Sequence, residues 1–163
     1  MSGQRTLDGG KKKPARSRLD QWADFADLVL EIAREIQFRG YASPEAVQLV
    51  PSEGTVMRYL LKHPGALPSQ VALATGLQRT NLSTVLRGLE EKKLIERIPS
   101  PDDGRSVRIY PTPRVLRNYS IVRQEWASWV ASASDDDPAV ENALPLLQKV
   151  HEGLVQLRQQ SAG

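Results

Sequence analysis

The sequence predicts a mainly α-helical protein that carries one small β-hairpin, an α+β fold. Over long stretches, apolar residues recur three and four positions apart, as on one face of a helix. Only residues 95–98 and 107–110 alternate like strands, and Pro101–Gly104 between them has strong turn chemistry. With 163 residues, 40% hydrophobic and 25% charged, the chain can form one compact domain with helical extensions.

Long amphipathic helices are predicted at both ends of the chain. The first covers Leu19–Phe38 and ends near Gly40. The second begins after Thr112-Pro113, and its apolar residues are spaced as in helices that pack along their length. Asp137-Pro138 predicts the start of a last helix, and Pro145 is expected to kink or restart it.

Three shorter helices are predicted between the long ones. They extend from near residue 51 to His63, from Pro68 to Gly76, and from about Gln78 to Lys93. Val50 and Leu67 precede the first two helices, where a capping Ser, Thr or Asp would be expected. Helix, turn and helix followed by a hairpin is the order of a winged helix-turn-helix.

Composition argues against several kinds of site. The chain has no cysteine, which excludes disulfides and thiolate metal ligands, and two histidines without a CxxC motif make a zinc site unexpected. No catalytic constellation or phosphate-binding loop is found, so neither an enzyme nor a cofactor is expected. No apolar run approaches the roughly 20 residues of a membrane helix, and a cytoplasmic protein without a membrane partner is expected.

Positive charge is unevenly distributed along the chain, although the net charge is only +3. Residues 1–18 hold six Lys or Arg and one acid, and they are predicted to form a flexible basic arm. Residues 78–114 hold eight Lys or Arg and five acids. This distribution suits a polyanionic partner for the centre of the chain.

The helix near residues 78–93 carries candidate DNA-reading side chains opposite its apolar stripe. Short hydroxyl and amide side chains reach phosphates or base edges, and Arg can bind guanine with two bonds. The alternative is an ordinary solvated helix face. The candidates on this helix, with two on the preceding helix, are Arg79, Thr80, Asn81, Ser83, Thr84, Arg87, Ser69 and Gln70.

The hairpin supplies a second set of candidates, namely Asp103, Arg105 and Arg108. Arg105 follows the turn, and Asp103 can hold its guanidinium in an extended conformation. An arginine placed in this way could enter a minor groove, where the negative potential deepens as the groove narrows. The alternative is a surface ion pair worth roughly 0–1 kcal/mol.

Together these segments resemble the winged-helix core of the MarR family of bacterial transcription regulators. The resemblance covers about residues 47–119 and includes the helix ending near Gly76, the segment Arg79–Leu89, the run Lys92–Arg97 and the Asp-x-Arg pattern at 103–105. It implies a homodimer on a pseudo-palindromic operator, with Arg105 in the minor groove. The regions implied are an arm, an N-terminal dimerisation helix, the winged domain and C-terminal dimerisation helices, at 1–18, 19–46, 47–113 and 114–163.

The resemblance also implies a repressor that responds to a small aromatic ligand bound between the winged domain and the dimerisation helices. Aromatic residues at helical spacing are more often part of a core or a dimer contact, and this alternative stays open. The candidate pocket residues are Trp22, Phe25, Tyr59, His63, Tyr119 and Trp126.

A second function remains possible from the sequence, that of a winged helix that docks a partner protein and does not bind DNA. Such a module would expose an apolar patch over residues 79–87, and the sequence there is polar.

Overall fold

The computed structural model describes residues 16–100 and 106–161. Within these ranges the chain forms six helices and one antiparallel pair of strands. In chain order these are α1 (Arg18–Phe38), α2 (Pro51–Lys62), α3 (Pro68–Thr75), α4 (Arg79–Glu91), β1 (Ile95–Pro99), β2 (Val107–Pro111), α5 (Pro113–Ala133) and α6 (Val140–Ser161). The predicted fold class, mainly helical with one small hairpin, is confirmed.

The chain divides into two units at residue 39, and α1 belongs to the first. Helix α1 begins with a capping box, in which the Ser17 hydroxyl accepts from the Asp20 N–H (3.1 Å) and the Asp20 carboxylate accepts from the Ser17 N–H (3.0 Å). No residue of α1 is buried, although its stripe includes Trp22 and Ile32. The predicted region 19–46 extends beyond this helix, because residues 39–46 are not helical.

The second unit has its core between α2, α3, α4 and the hairpin. Each of these elements contributes one apolar face, so a single cluster of aliphatic side chains holds these elements together. The buried members of this cluster are Val56, Met57, Leu60, Ala66, Val71, Leu82, Val85, Leu86, Leu89, Leu94, Ile95, Ile109 and Val115.

Strands β1 and β2 pair in register from Ile95 opposite Pro111 to Pro99 opposite Val107. The turn before α3 adds a short bridge to this pair, since the Ile109 N–H donates to the Ala66 carbonyl (3.0 Å). The loop between the strands is outside the described residues. The hairpin is therefore fixed against the α2–α3 turn as well as along its own length.

The starts of α2 and α3 lack a capping side chain at Val50 and Leu67, as the sequence indicated, yet both backbone N–H groups are bonded. The Glu53 carboxylate accepts from the Val50 N–H (3.0 Å), and the Gln70 side chain accepts from the Leu67 N–H (2.8 Å). In each helix the residue at the third helical position thus supplies half of a capping box.

Helix α5 is joined to the segment before α2 by polar contacts. The buried Asn118 accepts from the Val47 N–H (2.6 Å), and the Glu125 carboxylate accepts from the N–H groups of Ala42 (3.1 Å) and Ser43 (2.7 Å). These contacts attach an irregular segment of the chain to a helix that begins more than 60 residues later. No local sequence pattern predicts them.

Helix α6 extends through Pro145 without a break. The expected restart is therefore not seen: Pro145 lies early in an exposed helix, where the Glu141 carbonyl that loses its partner can face water. The start also differs from the expectation, because the Asp137 carboxylate accepts from the Ala139 N–H (2.8 Å) and closes a turn before the helix begins at Val140.

Candidate nucleic-acid interface

The exposed face of α4 presents all six side chains that the sequence singled out on this helix. Four apolar residues of α4 are buried in the core, and this fixes which side of the helix faces solvent. The exposed residues are Arg79, Thr80, Asn81, Ser83, Thr84 and Arg87.

Two hydroxyls on this face are held by their own helix. Ser83 donates to the Arg79 carbonyl (3.0 Å), and Thr84 donates to the Thr80 carbonyl (3.4 Å). A hydroxyl that donates inward keeps its oxygen lone pairs available, so these side chains can accept from a partner's N–H groups. Both hydroxyls can therefore contact a partner without any change in α4.

The two candidates on α3 are both exposed, but they differ in their bonding. Gln70 accepts from the Leu67 N–H through its side-chain oxygen, so it caps α3 and keeps its amide NH₂ as a donor. Ser69 lies at the edge of a cleft that separates α3 and α4 from the hairpin.

This cleft has a volume of about 520 Å³. Two guanidinium groups and three hydroxyls line it together with apolar side chains, which suits an anionic and partly apolar occupant. Arg97 on β1 is held by an ion pair with Glu90 on α4, with 2.9 Å between Nε and Oε2. The lining residues are Leu67, Pro68, Ser69, Arg79, Leu82, Ser83, Leu86, Arg97, Ser106 and Val107.

Of the three hairpin candidates, only Arg108 lies among the described residues; Asp103 and Arg105 lie outside them. Arg108 is half-buried and donates to the Ser100 hydroxyl (3.2 Å) and to the Gly65 carbonyl (3.3 Å). These bonds hold β2 against the end of β1 and against the turn before α3. A contact between Arg108 and DNA stays a prediction.

The six aromatic candidates for a ligand pocket occupy several places. In α1, the rings of Trp22 and Phe25 pack edge to face with centroids 5.7 Å apart. In the second unit, the rings of Tyr59 and His63 lie 4.5 Å apart. Tyr119 and Trp126 are half-buried on α5, and the Arg123 guanidinium lies 5.6 Å from the Tyr119 ring. A ligand site formed by these residues stays a prediction.

The sequence reading did not identify a partly buried ion pair between α2 and the end of α4. Lys92 Nζ lies 2.5 Å from Glu53 Oε2, and the Glu53 side chain is only 7% exposed. Glu53 stands three residues after Val50, and this capping-box spacing was the available signal. No sequence signal indicated that Glu53 pairs with a lysine 39 residues later.

Among residues 16–100 and 106–161, no three His, Asp or Glu side chains are grouped in a way that could hold a metal ion. None of the helices in these ranges is both long and apolar enough to cross a membrane. The chemistry of this surface is therefore that of hydroxyl, amide and guanidinium groups.

Comparison with protein families gives a match to the MarR family over residues 48–106. The matched segment begins just before α2 and ends just before β2, so it includes all three short helices and β1. The winged-helix domain of this chain belongs to the MarR family. Among curated proteins, none matches the sequence.

Solved structures of MarR-family regulators and related proteins share the fold over most of the chain. The transcriptional regulator SlyA is 18% identical with a TM-score of 0.65, and the match covers 85% of this chain and 99% of SlyA. PcaV from Streptomyces coelicolor, solved with its natural ligand, is 20% identical with a TM-score of 0.58 over 86% and 98% of the two chains. The repressor CouR, solved on a 23-mer DNA duplex, is 21% identical with a TM-score of 0.59 over 85% and 98%.

Proposed function

We propose that this MarR-family protein is a sequence-specific regulator of transcription that binds double-stranded DNA through α4 and the hairpin. The observation that carries the proposal is the exposed face of α4, where Arg79 and Arg87 accompany short hydroxyl and amide side chains. An α-helix fits the major groove, and these side-chain types bind base edges and phosphates there. It acts without an enzymatic activity, in the cytoplasm, on the nucleoid.

The cleft between α4 and the hairpin supports this proposal. A helix in the major groove and a hairpin over the adjacent minor groove would have a phosphate backbone between them. Arg79 and Arg97 face that position from opposite sides of the cleft, together with the hydroxyls of Ser69 and Ser83. CouR, which shares the fold, was solved bound to a 23-mer DNA duplex, and this supports DNA binding by a protein of this fold.

The active form is proposed to be a homodimer that binds a pseudo-palindromic operator and acts as a repressor. Its support is the exposed apolar surface of α1 and α6, which includes Leu30, Ile32, Leu144, Leu154 and Leu157. A long helix that exposes several leucines is ordinarily covered by a partner helix. Two reading helices would then contact half-sites about one helical turn apart, roughly 10 base pairs.

A small aromatic ligand is proposed to release the protein from its operator. The support is the fold shared with PcaV, which was solved with its natural ligand, and the half-buried aromatic residues Tyr59, Tyr119 and Trp126. Aromatic side chains of this kind can stack against a planar ligand. Titration with aromatic acids, followed by Trp fluorescence and operator release, tests this part separately.

The decisive experiment selects bound sequences from a random duplex pool and then measures affinity for the selected operator. Arg87→Ala is expected to relax base preference and to cost about 1–3 kcal/mol if its contact with a base is bidentate. Arg117→Ala, on the exposed surface of α5, removes the same charge and serves as the control that should leave base preference unchanged.

Failure to enrich any sequence from the pool, even at low salt, would contradict the proposal. The module that docks a protein would then be favoured, although α4 exposes no large apolar side chain that would support it. With DNA binding, log affinity should fall linearly with log salt concentration, by roughly 0.9 for each phosphate contact.

A further inference from the structure

The carboxylate of Glu53 connects the start of α2 with the end of α4. Its Oε2 atom accepts from the Val50 N–H (3.0 Å) and from Lys92 Nζ (2.5 Å). Lys92 in turn donates to the Gln48 carbonyl (2.9 Å). Its ammonium therefore bonds both to the chain just before α2 and to Glu53 in the first turn of α2. Glu53 is 7% exposed and Lys92 32%, which places the pair at the edge of the core and not on the open surface.

The second oxygen of the same carboxylate lies against the backbone of α4. A Cβ atom at Gly88 would stand 2.7 Å from Glu53 Oε1, which is closer than real Cβ contacts, so a larger residue at this position would displace the carboxylate. Gly88 directly follows Arg87, whose side chain is exposed to solvent. Glu53 therefore contacts α4 at the residue next to a proposed base-reading arginine.

Apolar packing restrains the position of α4 along its own axis less sharply than a directional contact does. The stripe formed by Leu82, Leu86 and Leu89 determines which face is buried, but contacts among aliphatic side chains are non-directional. A hydrogen-bonded ion pair is directional, and it tolerates little displacement of either partner. A shift of α4 by a fraction of a turn would break the Glu53–Lys92 pair while leaving most of the stripe buried.

We propose that Glu53 and Lys92 are positioning residues, which hold α4 in the register at which its exposed side chains meet base edges. This inference rests on the DNA binding proposed above. Neither residue is proposed to touch DNA: Glu53 is buried, and the Lys92 ammonium is occupied by Glu53 and the Gln48 carbonyl. Loss of the pair should reduce discrimination between operator and random duplex while non-specific binding persists.

A double variant separates positioning from stability. Lys92→Met leaves the buried Glu53 carboxylate without its cation, which should destabilise the fold as well as displace α4. Glu53→Gln combined with Lys92→Met removes both charges and keeps a side-chain oxygen to accept from the Val50 N–H. Replacing both partners of a buried pair is often neutral for stability, so this double variant should remain folded without the pair.

The experiment measures affinity for the selected operator and for a random duplex, at a temperature where circular dichroism shows each variant to be folded. We expect the ratio of the two affinities to fall about ten-fold in Lys92→Met and in the double variant, because base contacts are lost. The salt dependence should stay as in the wild type, since no phosphate contact is removed. Val56→Ala is the control. Val56 lies on the buried face of α2, the helix of Glu53, so this substitution should lower stability and preserve the ratio of the two affinities.

Three outcomes would overturn the inference. One is a double variant that is folded and discriminates as well as the wild type, which would make the pair purely structural. Another is a salt slope reduced by about one in Lys92→Met, which would make Lys92 a phosphate contact. The third is a loss of discrimination in Val56→Ala equal to that in Lys92→Met. A wild type that prefers no duplex sequence would instead contradict the proposed function.

Discussion

Single residues in this domain are constrained by close approaches that their own sequence neighbours do not reveal. Gly65, in the turn after α2, has a φ of +81°, and the ring of Tyr110 on β2 lies over it. A Cβ atom at this position would be 2.9 Å from the Tyr110 Oη atom and 3.0 Å from Cζ. Residue 65 is therefore restricted twice, by its left-handed backbone and by the space that the hairpin occupies.

Gly65→Ala is expected to lower the free energy of unfolding by about 2 kcal/mol, because it adds left-handed strain and a steric contact with Tyr110. Urea denaturation measures this change. Gly153→Ala is a matched control: Gly153 lies within α6, and a Cβ there meets no atom within 4 Å. This control should stabilise the helix by about 0.5–1 kcal/mol. Equal effects of the two substitutions would contradict the role assigned to Tyr110.

Tyr41 is a second constrained residue, at the junction between the first unit and the rest of the chain. Burial raises the pKa of its hydroxyl above the usual value, the Arg58 guanidinium partly offsets this rise, and the carboxylates of Glu125 and Glu53 add to it. The folded protein therefore favours the neutral hydroxyl more strongly than the unfolded chain does.

The sign of the pH dependence follows from that difference. Once pH exceeds the usual tyrosine value of about 10, the unfolded chain loses the Tyr41 proton while the folded protein retains it, so the free energy of unfolding falls as pH rises. Below that pH the contribution is fully present. We expect Tyr41→Phe to show a smaller loss of stability between about pH 9 and 11 than the wild type, by urea denaturation at each pH. Parallel curves for the two proteins would contradict the assignment.

At the scale of elements, irregular segments are joined to helices by side chains that accept backbone N–H groups. The carboxylate of Glu125 on α5 accepts from the N–H groups of Ala42 and Ser43. Asn118, earlier on the same helix, accepts from the N–H of Val47. Residues 41–49 thereby follow α5 without forming regular structure of their own.

Glu125→Ala should lower the free energy of unfolding by about 1–2 kcal/mol, because two backbone donors lose a charged acceptor at a partly exposed site. Hydrogen exchange detected by NMR gives the more specific readout, with faster exchange at the Ala42 and Ser43 amides alone. Gln124→Ala, at the exposed neighbouring position, should change neither measurement. Unaltered exchange at both amides in Glu125→Ala would show that this contact does not hold the segment.

At the scale of the whole molecule, the described surface is unevenly apolar. The winged-helix domain buries most of its aliphatic residues, whereas α6 exposes Leu144, Leu154 and Leu157 at 59%, 62% and 61%. Arg158 joins α6 to the winged-helix domain: its guanidinium donates to the Ala74 carbonyl at the end of α3 and packs on Gly76. The exposed leucines of α6 are the surface on which the proposed homodimer depends.

Leu154→Glu combined with Leu157→Glu is expected to shift the protein from dimer to monomer and to reduce operator affinity together, because charges replace apolar contacts between protomers. Sedimentation equilibrium and operator binding are the two measurements. Gln156→Glu, on an exposed position of the same helix, introduces charge without removing an apolar side chain. A double variant that stays dimeric would exclude these leucines from the interface.

The sequence was sufficient to predict the helices and strands of the winged-helix domain and the residues on the exposed face of α4. The spacing of Leu82, Val85, Leu86 and Leu89 determines which side of α4 is buried, and the polar residues follow on the other side. Local turn chemistry likewise located the hairpin and the left-handed Gly76 at the end of α3. The roles of Asp103 and Arg105 stay predictions, as does the aromatic ligand site.

What the sequence by itself determined is the order of helices and strands and the polar face of α4, because periodicity and turn chemistry act between residues a few positions apart. What only the tertiary structure decided is which distant groups meet: Glu53 with Lys92 behind α4, Asn118 with Val47, and Tyr110 with Gly65. Such pairs depend on the crossing of whole elements, and any carboxylate or glycine in the sequence is compatible with many partners. The physical reason is that local forces set the elements, whereas directional contacts between remote residues set how those elements are held.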